Sequence, residues 1–129
     1  MRVFMDGETW GGKVNFVDES DALVGFDISQ DCCEYFGWYV SDDQEAVSSP
    51  PEWSEEQGNT MLAGYLFDRS FLVENTAPES CGEDHEAIFR LTKAEAPDLF
   101  LHLFNHHNGY YAHGFTFVIG GVKMKEGYL

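Results

Sequence analysis

The chain has 129 residues, of which 43% are hydrophobic and 16% aromatic, and its formal net charge is −16, from 23 acidic and seven basic side chains. This length matches the commonest size of one compact domain, and the apolar content is enough to fill one core. The negative charge argues against direct nucleic-acid binding, because phosphates are neutralised by Lys and Arg. No apolar run approaches the roughly 20 residues of a membrane-spanning helix. We therefore expect a single domain, residues 1–129, with no membrane contact.

The acidic residues are concentrated in the first half of the chain. Residues 1–60 contain 14 acids and two bases, whereas residues 61–129 contain nine acids and five bases. A field of this strength attracts basic protein surfaces. The N-terminal segment lacks the long apolar stretch of a secretory signal, so a cytoplasmic location is expected.

Strand-like segments dominate the first forty residues. GKVNFV (12–17) and ALVGFDI (22–28) flank a polar cluster that suits a turn, so the sequence predicts a hairpin near residues 12–28. EYFGWYV (34–40) is rich in aromatic residues and predicts a third strand.

Residues 42–59 form an acidic stretch with Pro50-Pro51 and almost no aliphatic side chains. This composition predicts a long loop or a partly ordered insertion. Trp53 either anchors a partner or folds back onto the core. The candidate protein-binding residues of this stretch are Asp42, Asp43, Glu52, Trp53, Glu55 and Glu56.

Further strands are predicted over residues 61–75 and 85–93, and two apolar runs, 99–106 and 110–121, flank Asn108-Gly109. Residues 99–107 also fit a short helix, but Asn-Gly between apolar runs favours a hairpin over residues 99–119. The predicted fold class is therefore mainly β, or β-rich α+β, with a mostly antiparallel sheet.

Three histidines fall on one face of that predicted hairpin: His102, His106 and His113. They suggest a metal site, but His102 and His106 are about 13 Å apart along one strand at a rise of ~3.3 Å per residue. A single ion bound by both is therefore disfavoured, and further ligands from His85, Cys81 or an acid would be needed. The simpler interpretation is a buried aromatic hairpin whose histidines stack and hydrogen-bond.

The three cysteines, Cys32, Cys33 and Cys81, are too few for a disulfide framework. Cys32 and Cys33 would point to opposite faces of a strand, so they are poorly placed to grip one metal together. Asp31 and Glu34 beside the pair would disfavour a thiolate, which weakens a catalytic role.

QDCCE at 30–34 and HNGYYAHGF at 107–115 resemble the motifs of a family of small, functionally uncharacterised proteins of bacteria and their phages. The resemblance implies a compact β-rich fold and a bacterial or phage origin. It raises the hypothesis of an acidic inhibitor or nucleic-acid mimic acting in the bacterial or host cytoplasm.

The predicted function is therefore a non-catalytic acidic protein that binds a partner protein with a basic surface and needs no cofactor. The alternative is a small metal- or thiol-dependent enzyme that uses the His102, His106 and His113 face with Cys32 or Cys33. A third interpretation is a structural module that self-associates. The sequence leaves the oligomeric state open.

Overall fold

A computed structural model of the chain describes residues 1–6, 12–28, 35–47, 50–51, 53–76, 84–106 and 113–129. Within these residues the chain forms two antiparallel sheets and one short helix, which confirms the prediction of a mainly β, mostly antiparallel domain. Among the same residues, no helix has the length and apolar character to cross a membrane.

Sheet A has five strands in the order β1-β2-β3-β8-β9. Their bounds are β1 (Arg2–Asp6), β2 (Lys13–Val17), β3 (Ala22–Asp27), β8 (Gly114–Ile119) and β9 (Val122–Tyr128). Sheet B has four strands in the order β4-β7-β6-β5. Their bounds are β4 (Tyr35–Ser41), β5 (Leu66–Thr76), β6 (Asp84–Thr92) and β7 (Leu99–His106), and helix α1 (Glu55–Met61) lies between β4 and β5 in the chain.

The core lies between the two sheets and is dominated by aromatic side chains. The ring of Phe89 on sheet B meets Phe115 and Phe117 on sheet A, with centroids 6.2 Å and 5.5 Å away. Phe16 and Trp38 meet edge to face at 5.0 Å. Alternate residues of the inner strands enter this interior, as the period of two dictates, whereas the edge strand β9 has no buried residue. The molecule is therefore a sandwich with one inner and one outer face per sheet.

The predicted hairpin near residues 12–28 is present as β2 and β3. Asp18 closes its turn: Oδ1 accepts hydrogen bonds from the backbone N–H groups of Ser20 and Ala22, and Oδ2 accepts one from Phe67 N–H on β5. The side chain of Asp18 is 6% exposed. One buried carboxylate therefore ties the turn of sheet A to sheet B.

The predicted hairpin over residues 99–119 is wrong. β7 pairs with β4 and β6 in sheet B, whereas β8 pairs with β3 and β9 in sheet A. A local turn signal shows that the chain reverses but does not identify the partner strand. Both faces of β7 are apolar, so its alternation does not indicate which strand it pairs with. The proposed turn, Asn108-Gly109, lies outside the described residues, while 99–106 is strand.

The hairpin that does form at this end of the chain joins β8 to β9. Ile119 pairs with Val122, and the two residues between them, Gly120 and Gly121, have φ of 57° and 81°. Two successive residues with positive φ make the turn type that matches strand twist, and glycine adopts it without strain.

Helix α1 closes the sandwich beside the edge strands β1 and β4. Ser54 begins it with a capping box, in which its side chain accepts from Gln57 N–H and the Gln57 side chain accepts from Ser54 N–H. Gly58 faces Trp38 and Val3 so closely that a Cβ there would lie 2.8 Å and 2.9 Å from their side chains. Asn59 extends this contact by bonding both backbone groups of Val3.

Candidate functional site

The outer face of sheet B is buried although it points away from sheet A. Tyr39, His102, Ile88, Glu86 and Phe104 stand on this face and are at most 4% exposed. A sheet face without a covering layer would be open to water. Some part of the chain must therefore cover it.

The described parts of the segment that follows β4, residues 42–47 and 50–51, lie against this face and are called the strap. The backbone N–H of Val47 donates to the Tyr39 hydroxyl at 3.1 Å, and the Tyr35 hydroxyl donates to the carbonyl of Pro50. Pro50 is buried, whereas residues 42–47 are exposed on their solvent side. The strap is the first part of the predicted acidic loop, and α1 occupies most of the second part.

A buried polar network beneath the strap is centred on Glu86. Its Oε1 lies 2.5 Å from Nδ1 of His102 and accepts a hydrogen bond from the Tyr39 hydroxyl at 2.8 Å. The His102 and Tyr39 rings stack with centroids 4.3 Å apart and an angle of 11° between their planes. Buried polar groups of this kind are tolerated because each meets a partner.

The other ring nitrogen of His102 connects the network to the strap. Nε2 lies 2.9 Å from the backbone oxygen of Asp43 and 2.9 Å from Oγ of Ser41. Ser41 Oγ in turn donates to the oxygen of Asp43 at 2.5 Å. The start of the strap is therefore fixed by side chains from β4 and β7.

Burial is the main reason that the pKa of Tyr39 is raised above its ordinary value. The hydrogen bond from Val47 N–H opposes this effect, and the bond to the Glu86 carboxylate adds to it. Tyr39 therefore stays protonated and continues to donate to Glu86 at any pH near neutrality.

Ser41, His102 and Glu86 are connected by hydrogen bonds in the same succession as the serine, histidine and acid of a serine-hydrolase triad. Their geometry, however, fits a structural role. A catalytic histidine accepts the serine proton at one nitrogen, whereas His102 Nε2 also faces the Asp43 carbonyl, which can only accept. The Ser41 hydroxyl is directed to the same carbonyl. The imidazole is 0% exposed, so a substrate would have to displace the strap to reach it.

The expected face with His102, His106 and His113 together is wrong. His102 and His106 lie on the outer face of sheet B, where His106 contacts Tyr35 and Phe104. His113 precedes β8 on the other side of sheet B, stacked on Phe36 with centroids 4.0 Å apart and with Nδ1 3.0 Å from the oxygen of Asp27. The cause is the separation of β7 and β8 into different sheets.

Among the described residues, no group of three or more His, Cys, Asp and Glu side chains is arranged to hold a metal ion. The cysteines of the alternative hypothesis, Cys32 and Cys33, lie outside the described residues, as does Cys81. His85 lies on β6 and is half-buried.

The candidate binding residues divide into two exposed groups. Asp42 and Asp43 lie in the strap, where the structure adds the exposed Glu45, and Glu55 and Glu56 form the first turn of α1. Within the described chain, none of these five takes part in an ion pair, although Glu55 accepts a hydrogen bond from Met5 N–H at 3.1 Å. Glu52 lies outside the described residues.

Trp53 is directed inward and packs against the core. Its ring is 5.9 Å from the ring of Trp38, and the side chain is half-buried. Of the two alternatives for this residue, the structure therefore shows it folded back onto the core.

Sequence reasoning did not find the network that holds the strap. The available signal was Glu86 in HEAIFRLT, a carboxylate on a strand whose neighbours are apolar. Such a residue requires a buried partner. The sequence indicated the partner, His102, only as a candidate metal ligand. The pairing of β6 with β7 is what brings the two side chains together.

No family model matches the sequence, and neither a curated protein nor a solved structure matches it. The resemblance carried by QDCCE and HNGYYAHGF remains a prediction. Function must therefore be argued from the geometry of this chain.

Proposed function

We propose that the protein is a non-catalytic, acidic binding module that recognises a partner protein with a basic surface. The observation that carries the proposal is the strap: its backbone is fixed from below by buried groups, while its carboxylates Asp42, Asp43 and Glu45 face solvent. The exposed first turn of α1 adds Glu55 and Glu56.

Fixed carboxylates are better suited to binding than those of a free loop. Ordering a flexible segment on association costs conformational entropy, and a segment that is already ordered avoids that cost. Charge complementarity then raises the rate of encounter and selects basic partners. The formal charge of −16 supplies a long-range field of the required sign.

The phage-type hypothesis fits this proposal as a special case. An inhibitor that presents carboxylates in place of phosphates would occupy the nucleic-acid site of a cytoplasmic protein. The partner would then be a nucleic-acid-binding protein, and the module itself would bind no nucleic acid.

Charge reversal tests the proposal. Wild-type protein, an Asp42→Lys/Asp43→Lys variant and a Glu55→Lys/Glu56→Lys variant would each be immobilised and exposed to bacterial extract at low salt. An Asp98→Lys/Glu95→Lys variant is the control, because it reverses two exposed carboxylates on the β6–β7 turn. A protein retained by the wild type and control, and lost from the strap or helix variant, would be purified and its affinity measured against salt concentration.

Tyr39→Phe separates the contribution of preorganisation from that of charge. It removes the hydroxyl that accepts from Val47 N–H and leaves the net charge unchanged. We expect weaker partner binding with an unaltered salt dependence. Tyr65→Phe is the control, because the Tyr65 hydroxyl bonds Pro97 away from the strap. The proposal would be contradicted by a partner whose affinity changes neither with salt concentration nor in any of these variants.

A further inference from the structure

A groove crosses the outer face of sheet A, on the opposite side of the sandwich from the strap. Its volume is about 230 Å³, and it is lined by residues of β2, β3, β8 and β9. The floor lies at Gly25 and Gly114, two outward-facing positions without side chains. The groove is therefore a built depression in the sheet, with walls from its neighbouring side chains.

The polar side chains of Thr116 and Glu126 form one wall, and Asn15 lies beside it. Asn15 and Thr116 flank Gly25 on the adjacent strands, so closely that a Cβ at Gly25 would lie 3.3 Å from Asn15 Oδ1 and 3.4 Å from Thr116 Oγ1. Glu126 pairs with Thr116 across the next strand. This row presents an amide, a hydroxyl and a carboxylate in succession.

Tyr128 supplies an aromatic surface at the end of the groove. It pairs with Gly114, and its ring lies near enough that a Cβ at Gly114 would be 3.4 Å from Cε1. The side chain is nevertheless 69% exposed. An aromatic ring that lies beside a glycine and is open to solvent can stack on the apolar face of a ligand.

Each of the two carboxylates that line the groove has a lysine beside it, one of them within the lining and the other, Lys123, just outside it. Lys13 lies opposite Asp27 in register, and Nζ of Lys123 pairs with Glu126 at 2.8 Å. A site for an anion or a cation would carry an excess of one sign. The balance favours a neutral ligand with many donors and acceptors.

We propose that this groove binds a neutral saccharide and that it accommodates one sugar ring. Sugar hydroxyls both donate and accept, which matches the acceptors Asp27 and Glu126 and the donors Lys13 and Thr116 of the lining. The C–H face of the ring would stack on Tyr128. The volume lies slightly below the roughly 300 Å³ of drug-sized sites, which suits one ring. This inference is independent of the proposed function, because the strap belongs to sheet B.

The experiment follows backbone amide NMR signals while D-glucose, D-galactose, N-acetyl-D-glucosamine or maltose is added to about 50 mM, enough to saturate a millimolar site. We expect at least one sugar to shift Gly25, Gly114 and Thr116 in a saturable manner. Tyr128→Ala should weaken its affinity at least about fivefold, while Tyr128→Phe keeps the ring and the affinity. Thr116→Val should weaken it about threefold to tenfold through loss of a hydrogen bond.

Met124→Ala is the matched control, because Met124 is an exposed residue of the same strand outside the groove lining. Methylguanidinium and inorganic phosphate are titrated in parallel as cationic and anionic probes. The proposal is overturned if no sugar saturates the groove signals, if an ion binds there and sugars do not, or if Tyr128→Ala binds as tightly as the control.

Discussion

Oε1 of Glu86 lies 2.5 Å from Nδ1 of His102, and the two side chains belong to neighbouring strands on a sheet face that the protein's own strap covers. Their side chains are 3% and 0% exposed. In such a setting each group satisfies the other, and the loss of either leaves a polar group without its partner. The pair is therefore an anchor for the strap as well as a contact between strands.

A double-mutant cycle measures this anchor. Glu86→Leu and His102→Leu should each lower the free energy of unfolding by about 3 kcal/mol, because each removes one side of the 2.5 Å contact while the other polar group stays buried. The double variant should lose clearly less than the sum of the two single losses, since the contact between Glu86 and His102 can be lost only once. Urea unfolding of the four proteins provides the measurement.

Asp98→Asn, at an exposed position, is the control for this cycle and should change stability by less than about 0.5 kcal/mol. Strict additivity of the two single changes would show that Glu86 and His102 do not interact energetically.

Asp18→Ala should destabilise the protein by about 2–4 kcal/mol, because three backbone N–H groups lose their acceptor. Two of these belong to the β2–β3 turn and the third to Phe67 on sheet B. Asp21→Asn is the control in the same turn: its φ of 64° is a conformation that Asn also tolerates. Equal melting temperatures for the two variants would contradict this role of Asp18.

Gly58→Ala should destabilise the protein by about 1–3 kcal/mol, although alanine favours an exposed helix by about 1 kcal/mol over glycine. The new methyl would press against the Trp38 ring, and the rigid ring cannot move aside without disturbing Phe16. Thr60→Ala, on the exposed side of α1, provides the comparison. Thermal unfolding that shows Gly58→Ala to be as stable as Thr60→Ala would refute the close contact.

The fall in the free energy of unfolding at acidic pH should depend on Asp68. Hydrogen bonds from Ser70 and then from Arg90 lower the pKa of Asp68 from 3.8 to about 2. A lowered pKa in the folded state means that the stabilisation is present above pH 4 and is lost as the pH falls toward 2. Asp68→Asn should therefore cost about 1 kcal/mol at neutral pH and almost nothing near pH 2.

Glu56→Gln, which removes an exposed carboxylate of α1, controls for the loss of one negative charge. Urea unfolding across this pH range distinguishes the two variants. The same pH dependence for both would show that the contacts of Asp68 with Ser70 and Arg90 contribute nothing specific.

The elements of the fold could largely be predicted from the sequence, but their partners could not. Alternation in GKVNFV and ALVGFDI identifies strands and their buried faces, and the short polar turn between them leaves one pairing. The run at 99–106 has apolar residues on both faces, so alternation gives no preference for a neighbour. The Asn-Gly signal then favoured pairing of this run with the next strand in the chain, whereas in the structure it pairs with β4 and β6.

The candidate site shows the same limit. Acidic residues at 42–45 predict an exposed loop, and they are exposed. The conformation of that loop depends on Tyr39 on β4 and on Glu86 and His102 on β6 and β7, and helix α1 and β5 separate β4 from the other two strands in the chain. A sequence shows each of these residues but not the pairing that brings them together.

The order of strands also has a consequence for how the chain folds. β3 pairs with β8, so that Ala22 meets Ile119, and the whole of sheet B lies between them in the chain. Closing so long a loop is entropically costly, and contacts of this range make folding slow. During synthesis, β1, β2 and β3 must wait with one long edge unpaired until β8 leaves the ribosome. The nascent chain is therefore most exposed to misassociation through that edge in this interval.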